Sequence, residues 1–184
     1  MGFKNKQYIF CFLVTVLVVS VLSGCASAPI DLSKTKTLPE RESVVFGRVN
    51  LLLGGNPVIW RRVAIPQFIG HLFVLSTGSS NAVIYDLAGD GTFYWHLPPG
   101  EYAIAAIQFI LGGRSINGRI FAEFRVPEAR SIIYIGKLTL IFSGSRFHIN
   151  IEDNYDQEIQ KFKDMFPEIK GEFIKDLMKL EKPK

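Results

Sequence analysis

One stretch decides the fold, and it reads Gly91-Thr-Phe-Tyr-Trp-His-Leu-Pro-Pro-Gly-Glu-Tyr-Ala-Ile-Ala-Ala-Ile107. Its first part alternates between two sets of side chains, which are Thr92, Tyr94 and His96 on one face and Phe93, Trp95 and Leu97 on the other. This period of two predicts a β-strand that buries its aromatic face. Pro99 fixes φ and Gly100 can adopt a positive φ, so the segment after Leu97 predicts a tight type II reversal. The apolar run that follows predicts a second strand, and the two together predict a β-hairpin.

The same rhythm of short apolar segments and turn residues continues on both sides of this stretch, from Ser43 to Ile151. Clusters of Gly, Pro, Asn, Asp and Ser separate the candidate strands, which are roughly 43–53, 57–65, 71–77, 81–87, 91–97, 101–110, 117–126, 131–142 and 145–151. Segments 101–110 and 131–142 are apolar on both faces, as central strands covered on two sides would be. Residues 43–151 therefore predict a mainly β domain, a two-sheet antiparallel β-sandwich.

The hydrophobic period changes after Ile151 and becomes helical. One apolar stripe steps by four, three and four residues through Tyr155, Ile159, Phe162 and Phe166. Asn154 and Gln157 have the spacing of a capping box, and Pro167 fits the first turn of a second helix. That second helix would carry Ile169, Phe173, Leu177 and Leu180. Residues 152–184 therefore predict an appendage of one or two C-terminal α-helices, whose stripes either pack on the sandwich or dock a partner protein.

The N-terminus has the three zones of a secretory signal peptide over residues 1–24. Lys4 and Lys6 form a positive start, and an uncharged apolar run of 15 residues follows from Tyr8 to Leu22. A helix that spans the hydrocarbon core of a membrane needs roughly 20 apolar residues. The run is therefore short for a permanent transmembrane anchor, which is the alternative interpretation of the same residues, and it favours a cleaved signal.

The segment Leu22-Ser23-Gly24-Cys25 closes the apolar run and resembles the lipobox of bacterial lipoproteins. The resemblance implies cleavage between Gly24 and Cys25, a diacylglycerol on the Cys25 thiol and a further acyl chain, such as palmitate, on the new amino group. Two or three acyl chains anchor a protein stably to a membrane, whereas a single chain does so only marginally. Residues 26 and 27 lack the Asp that resembles the inner-membrane retention signal, which favours the outer membrane, facing the periplasm.

The rest of the composition fits an exported, lipid-anchored chain. Cys11 leaves with the signal, so a lipidated Cys25 would leave no thiol for a disulfide or for cysteine catalysis. Loss of Lys4 and Lys6 lowers the formal net charge from +4 to +2, which is too balanced to indicate nucleic-acid binding. Residues 25–42 then form the lipidated N-terminus and a polar, proline-containing flexible tether ahead of the sandwich.

Two parts of the domain resemble known families. The segment from Gly91 to Tyr102, with its Gly-x-Phe and Leu-Pro-Pro-Gly-x-Tyr elements, is similar to transthyretin-like and carboxypeptidase-regulatory-like sandwich modules, and so is the opening Phe46-Gly47-Arg48-Val49. The later Ser131-Ile-Ile-Tyr-Ile-Gly-Lys-Leu, followed by Glu-Asp-Asn-Tyr, resembles small bacterial lipoproteins of the DUF2846 type. The likeness implies a transthyretin- or immunoglobulin-like sandwich. Its motifs are structural, so they imply no particular activity.

Catalytic and metal-binding patterns are weak throughout the sequence. The chain has three histidines, which are His71, His96 and His148. They lie on separate segments, so a zinc site would require three distant strands to converge. Asp86 and Asp90 bracket a short glycine-containing loop that offers few oxygens for calcium and favours a simple turn. No serine lies in a Gly-x-Ser-x-Gly elbow. We therefore expect no catalytic residues, no metal and no cofactor beyond the covalent lipid on Cys25.

Aromatic and polar side chains on one strand face are the strongest candidates for a binding surface. Thr92, Tyr94 and His96 share that face and form a possible binding face. Trp95 belongs to the opposite face and is expected in the core. The sequence thus predicts a non-enzymatic envelope lipoprotein that acts as a structural or protein-interaction component, held at the membrane through its N-terminal lipid. A glycan- or peptidoglycan-binding module is the alternative.

Overall fold

The computed structural model describes most of the chain from Thr37 onward, namely residues 37–38, 40–59, 70–77, 82–87, 89–111, 114–143 and 146–181. The predicted signal peptide, Gly24, Cys25 and most of the predicted strand 57–65 lie outside the described residues. Within the described ranges, no helix is long and apolar enough to cross a membrane.

The described residues form eleven strands and one helix. In chain order the strands are β1 (Ser43–Leu53), β2 (Asn56–Pro57), β3 (Gly70–Ser76), β4 (Ala82–Leu87), β5 (Thr92–Leu97), β6 (Gly100–Leu111), β7 (Arg114–Val126), β8 (Ser131–Ser143), β9 (Arg146–Glu152), β10 (Glu172–Lys175) and β11 (Lys179–Leu180). The helix α1 (Tyr155–Met165) lies between β9 and β10. Apart from 57–65, each predicted strand is confirmed to within a few residues of its bounds.

The strands form two sheets that pack face to face, as the sequence predicts. The larger sheet has six strands in the order β10-β8-β1-β2, with β5 paired to β1 and β9 paired to β8. The smaller sheet has five strands in the order β11-β7-β6-β3-β4. Side chains from the two inner faces form one core, in which Phe93, Trp95 and Leu97 of β5 are buried as predicted. The mainly β sandwich with a C-terminal helix is thus confirmed.

Two strand pairings differ from the all-antiparallel prediction. β1 pairs with β8 in parallel, and β10 also pairs with β8 in parallel, so the larger sheet is mixed. Side-chain alternation is the same whichever way the neighbouring strand runs, which is why the pattern could not reveal it. Residues 131–136 of β8 are buried on both faces, as parallel strands typically are. One face meets the sandwich core and the other meets the cluster beneath α1.

The Pro98-Pro99-Gly100 segment links the two sheets, and the predicted hairpin is wrong. β5 pairs with β1 in the larger sheet, whereas β6 pairs with β3 and β7 in the smaller one. Gly100 does not adopt a positive φ, so the predicted type II turn is also wrong. The Tyr102 hydroxyl donates to the Pro98 carbonyl at 2.8 Å, and the Tyr102 ring lies 3.3 Å from where a Cβ on Gly100 would be. This hydrogen bond holds the crossing in the manner of a tyrosine corner.

The second predicted helix is wrong, because residues 172–180 form two short strands in its place. β10 extends the larger sheet beside β8, and β11 extends the smaller sheet beside β7. Phe173 packs beneath α1 while Ile174 packs on the sandwich core, which is the opposite-face arrangement of an extended chain. Met178 lies between the two strands and is buried. Backbone hydrogen bonding to the edges of β8 and β7 therefore decides the structure of this segment, although its apolar residues have helical spacing. Residues 172–180 pair with both sheets, and we call them the C-terminal clasp.

Helix α1 packs on the outer face of the larger sheet. The apolar stripe of residues 155–166 packs on the sandwich, and Phe162 is fully buried there. Of the two predicted alternatives for this stripe, packing on the domain is the one that the structure shows. The predicted capping box is wrong, because Asn154 makes no side-chain cap hydrogen bond. Asp153 instead accepts a hydrogen bond from the Tyr155 backbone N–H at 3.1 Å. An Asx-type bond of this kind satisfies one free donor of the first turn.

Candidate functional site

The predicted binding face lies on β5 but is largely covered by α1. Thr92, Tyr94 and His96 alternate with the core residues of β5 and are each partly buried. The Tyr94 ring meets Phe166 edge-on, with 5.0 Å between ring centroids, and lies 5.8 Å from the Phe162 ring. Burial raises the pKa of the Tyr94 hydroxyl to about 12. Thr92 and Tyr94 lie beside a cleft at the covering helix, whereas His96 does not line that cleft.

His96 is set apart from this cleft, at the root of the predicted tether. Only 8% of its side chain is exposed, and its Nδ1 lies 3.5 Å from Oε2 of Glu42. Burial lowers the pKa of His96, and the neighbouring Glu42 carboxylate offsets that effect only in part. The imidazole is therefore neutral at pH 7. Its Nε2 atom has no hydrogen-bond partner among the residues that the structure describes.

Thr92 and Tyr94 line a cleft where α1 crosses the larger sheet, and we call it the α1 cleft. Its volume is about 500 Å³. The lining comes from β1, the turn before β5, β5 itself and α1, and consists of Arg48, Asp90, Thr92, Tyr94, Lys161, Asp164 and Met165. Small-molecule sites usually have volumes between about 300 and 1,000 Å³. The size therefore suits a small ligand or a short segment of a larger one.

Arg48 is the central charge of the α1 cleft. Its Nη2 lies 2.8 Å from Oδ2 of Asp90 and 3.2 Å from Oε1 of Glu158, and its Nε donates to the Thr92 hydroxyl at 3.2 Å. The Glu158 side chain is only 3% exposed, and it also accepts a hydrogen bond from Lys161 at 3.4 Å. A buried carboxylate without such partners would be strongly unfavourable. Arg48 therefore fixes α1 against the sheet and orients two carboxylates at the same time.

Asp90 is positioned by the turn before β5. Gly89 and Gly91 on either side adopt φ values of 60° and 82°, in the left-handed region that favours glycine. Oδ1 of Asp90 accepts hydrogen bonds from the Thr92 N–H at 3.1 Å and from the Thr92 hydroxyl at 2.7 Å. Burial alone would raise the pKa of Asp90, but these bonds and the Arg48 charge outweigh it and lower the pKa. Asp90 is therefore a carboxylate at neutral pH.

The helical rim of the α1 cleft combines charge with apolar surface. Met165 is 57% exposed, and Lys161 has a side chain that is 41% exposed. Asp164 lies three residues after Lys161 on α1 and accepts a hydrogen bond from the Gln160 amide at 2.8 Å. Across the cleft, the Tyr94 ring supplies a second apolar surface. The cleft thus presents donors, acceptors and apolar groups within one small volume.

The sequence analysis missed Arg48 and Glu158, although each left a signal. Arg48 is the only charged residue of β1. Glu158 lies three residues after Tyr155 and four before Phe162, on the buried side of the helical stripe. Opposite charges at two otherwise buried positions indicate pairing, because an isolated buried charge is costly. Nothing in the local pattern could show that these two positions meet.

A second, smaller cleft lies at the start of α1. It has a volume of about 280 Å³ and is lined by Asp153, Asn154, Tyr155, Asp156, Gln157 and Lys175. The Lys175 ammonium lies 2.9 Å from an Asp153 carboxylate oxygen and 5.3 Å from the centre of the Tyr155 ring. Lys175 and Asp153 therefore largely satisfy each other's charge, and the cleft lacks the apolar rim of the larger one.

The three histidines do not converge on one site. His71 lies on β3 in the smaller sheet, while His96 on β5 and His148 on β9 lie at different strands of the larger sheet. Nowhere in the described part of the chain do three or more His, Cys, Asp or Glu side chains gather as they would around a metal ion.

No family model, no curated protein and no solved structure matches the chain. The function is therefore inferred from the geometry of the α1 cleft. The fold defines the class, a two-sheet β-sandwich with a mixed larger sheet, a C-terminal helix and a clasp across both sheets. The resemblances to transthyretin-like modules and to DUF2846-type lipoproteins stay predictions.

Proposed function

We propose that this protein is a lipid-anchored component of the bacterial cell envelope that acts by binding, without catalysis, through the α1 cleft. The positive start, the apolar run and the Leu22-Ser23-Gly24-Cys25 segment support the lipid anchor. Residues 26 and 27 support the outer membrane, facing the periplasm. The α1 cleft is the observation that carries the binding function, because it is a concave site whose charged groups are already held in place.

The chemistry of the α1 cleft favours binding over catalysis. Its described lining contains no histidine, cysteine or serine. The Thr92 hydroxyl donates to Asp90, yet Asp90 would be a weak base for that hydroxyl because its pKa is lowered. Arg48 is engaged by two carboxylates, so it serves to orient them. These groups suit recognition of a ligand that is not transformed.

The end of the predicted tether brings the α1 cleft close to the membrane in this proposal. Leu38 packs in the cluster beneath α1, so Leu38 is already in contact with the domain. The residues from Cys25 to Thr37 could span at most about 45 Å if fully extended. Arg48 lies less than about 20 Å along β1 from the start of that strand. The cleft would therefore work within some tens of ångströms of the bilayer, where envelope polymers and other membrane-anchored proteins are found.

A structural or protein-interaction role is the second candidate. The exposure of Met165 beside the cleft supports it, because methionine side chains adapt to varied partner surfaces. The apolar stripe of α1 does not support it, since that stripe packs on the sandwich. The proposed binding function stands whichever molecule fills the cleft, and this second candidate names a protein segment as that molecule.

Photo-crosslinking in the envelope tests the proposal and identifies the occupant. A benzophenone amino acid would replace Met165 in the full chain, and the control would place it at Asn117, an exposed position on β7 of the other sheet. We expect an adduct at position 165, of glycan or protein as mass spectrometry decides, and none at position 117. No adduct at position 165, or the same adduct at both positions, would overturn the α1 cleft as the working surface.

A further inference from the structure

We infer that the α1 cleft binds an uncharged, hydroxyl-rich ring, which is the chemistry of a sugar unit in an envelope glycan. The inference rests on the proposed binding function and names its ligand class. Three properties of the cleft carry it: its balanced charge, its alternating donors and acceptors, and its apolar surface around a fixed aromatic ring.

The charges that line the α1 cleft balance one another. Two of the lining residues are cationic and two anionic, namely Arg48, Lys161, Asp90 and Asp164, and the buried Glu158 carboxylate behind them pairs with both cations. Arg48 and Asp90 are already paired at 2.8 Å. An anionic ligand would meet the two carboxylates, and a cationic ligand would meet the guanidinium and the ammonium. Because like charges brought together in a partly desolvated site are unfavourable, the cleft favours an uncharged ligand.

Donors and acceptors lie side by side in the cleft. A carboxylate only accepts hydrogen bonds and a guanidinium or ammonium only donates them, whereas a hydroxyl group can do both. Lys161 and Asp164 are three residues apart on α1, so their side chains are neighbours on one helix face. Hydroxyl groups on adjacent ring carbons can therefore donate to Asp164 and accept from Lys161 together. Hydrogen bonds to such charged partners are stronger than those between neutral groups.

Tyr94 and Met165 supply the apolar part of the site. The Tyr94 ring is stacked on Phe46 with 6.4 Å between centroids and is held edge-on by Phe166. A ring fixed in this way loses little conformational freedom when the C–H face of a sugar packs on it. The exposed Met165 thioether can adjust to the opposite face. The site thus combines a rigid apolar surface with polar groups at its rim.

Titration with charged and uncharged sugars tests the inference. The mature lipidated chain in detergent would be titrated calorimetrically with three uncharged tetrasaccharides, which are the tetramers of N-acetylglucosamine, of β-linked glucose as in cellulose and of α-linked glucose as in maltose. Tetramers of glucosamine and of galacturonic acid serve as the cationic and anionic counterparts. We expect saturable binding of at least one uncharged tetrasaccharide. We also expect affinities at least about tenfold weaker for both charged tetramers.

Matched double variants locate the binding site. Lys161→Ala with Asp164→Ala should weaken uncharged-sugar binding by about tenfold or more, because two charge-assisted hydrogen bonds are lost. Arg119→Ala with Glu123→Ala removes the same charges from exposed positions on β7 and should leave binding unchanged. Thermal melts would verify that both variants fold. Met165→Ala provides an independent lining variant and should also weaken binding.

Each other result overturns a defined part of the argument. Equal or tighter binding of a charged tetramer, or binding that the cleft variants leave intact, overturns the inference. If no uncharged sugar binds but the residue 165 photo-probe captures a protein, the sugar class is wrong while the proposed binding function stands. If no sugar binds and the photo-probe captures nothing, both the inference and the proposed function are overturned.

Discussion

Arg48 and Glu158 form an ion pair between β1 and α1 across 110 sequence positions, with 3.2 Å between Nη2 and Oε1. The Glu158 side chain is almost completely buried, and the same guanidinium reaches Asp90 in the α1 cleft. One arginine therefore joins the packing of the helix to the shape of the cleft. A change at the buried end of this pair should affect both.

Glu158→Ala is expected to destabilise the fold by about 3 kcal/mol, because it leaves the Arg48 guanidinium without its most deeply buried partner. The free energy of unfolding in urea measures the loss. Asp156→Ala, at an exposed position of the same helical turn, is the control. Replacing both partners by methionine should recover most of the stability, since the charges that lose a partner, Asp90 and Lys161, have exposed side chains and no buried charge is left unpaired. Equal losses for Glu158→Ala and the control would contradict a stabilising buried pair.

The stability of the fold should depend on pH through His96. Because burial holds the folded-state pKa of His96 below its unfolded value of about 6.5, the unfolded chain takes up the proton first as the pH falls. The contribution is fully present above about pH 6.5 and is lost as the pH falls toward the lowered pKa. His96→Leu should reduce the difference in unfolding free energy between pH 7.5 and 5.5. An unchanged difference in that variant would refute the assignment to His96.

The C-terminal clasp should contribute substantially to stability through Met178. This side chain is 3% exposed and packs in the sandwich core. Met178→Ala is expected to cost about 2–4 kcal/mol, because it removes buried apolar volume that the surrounding core cannot fully refill. Leu180→Ala, two residues on and 38% exposed, should cost much less in the same urea titration. Similar costs for the two variants would indicate that the clasp does not close the core.

The lipid anchor can be tested with the two cysteines of the chain. Cys25→Ser should abolish both palmitate labelling and cleavage of the signal peptide, because the lipid needs the thiol. Cys11→Ser is the matched control, since this cysteine lies within the predicted signal and should leave labelling intact. Metabolic labelling followed by membrane fractionation measures both effects. Lipid labelling that survives in Cys25→Ser would remove the lipoprotein assignment.

Most of the strands and the helix could be predicted because most of these elements bury one face and leave the other exposed. In β7 the buried Ile120, Ala122 and Phe124 alternate with exposed residues, so the period of two is visible in the sequence. The stripe that ends at Phe166 shows the helical period equally well. Such patterns depend only on neighbours in the chain, and they survive whatever the element packs against.

Strand direction, sheet membership and the C-terminal clasp could not be predicted in the same way. The spacing of Phe173 and Leu177 fits a helix, yet the open edge of β8 offers this segment four register positions of backbone pairing. The Pro98-Pro99-Gly100 segment fits a hairpin turn equally well, yet it carries the chain from one sheet to the other. In both places a distant strand, absent from the local pattern, decided the outcome.

The sequence by itself determined the strand rhythm, the aromatic core face of β5 and the packing stripe of α1, and it predicts a lipid site at Cys25. Each depends on side chains that lie close together along the chain. Only the tertiary structure decided that Arg48 meets Asp90 and Glu158, and that α1 leaves Thr92 and Tyr94 at a cleft while His96 is enclosed beside Glu42. Those contacts depend on where the helix docks and on which strands pair. The local sequence around a charged residue does not identify the distant residue with which it will pair.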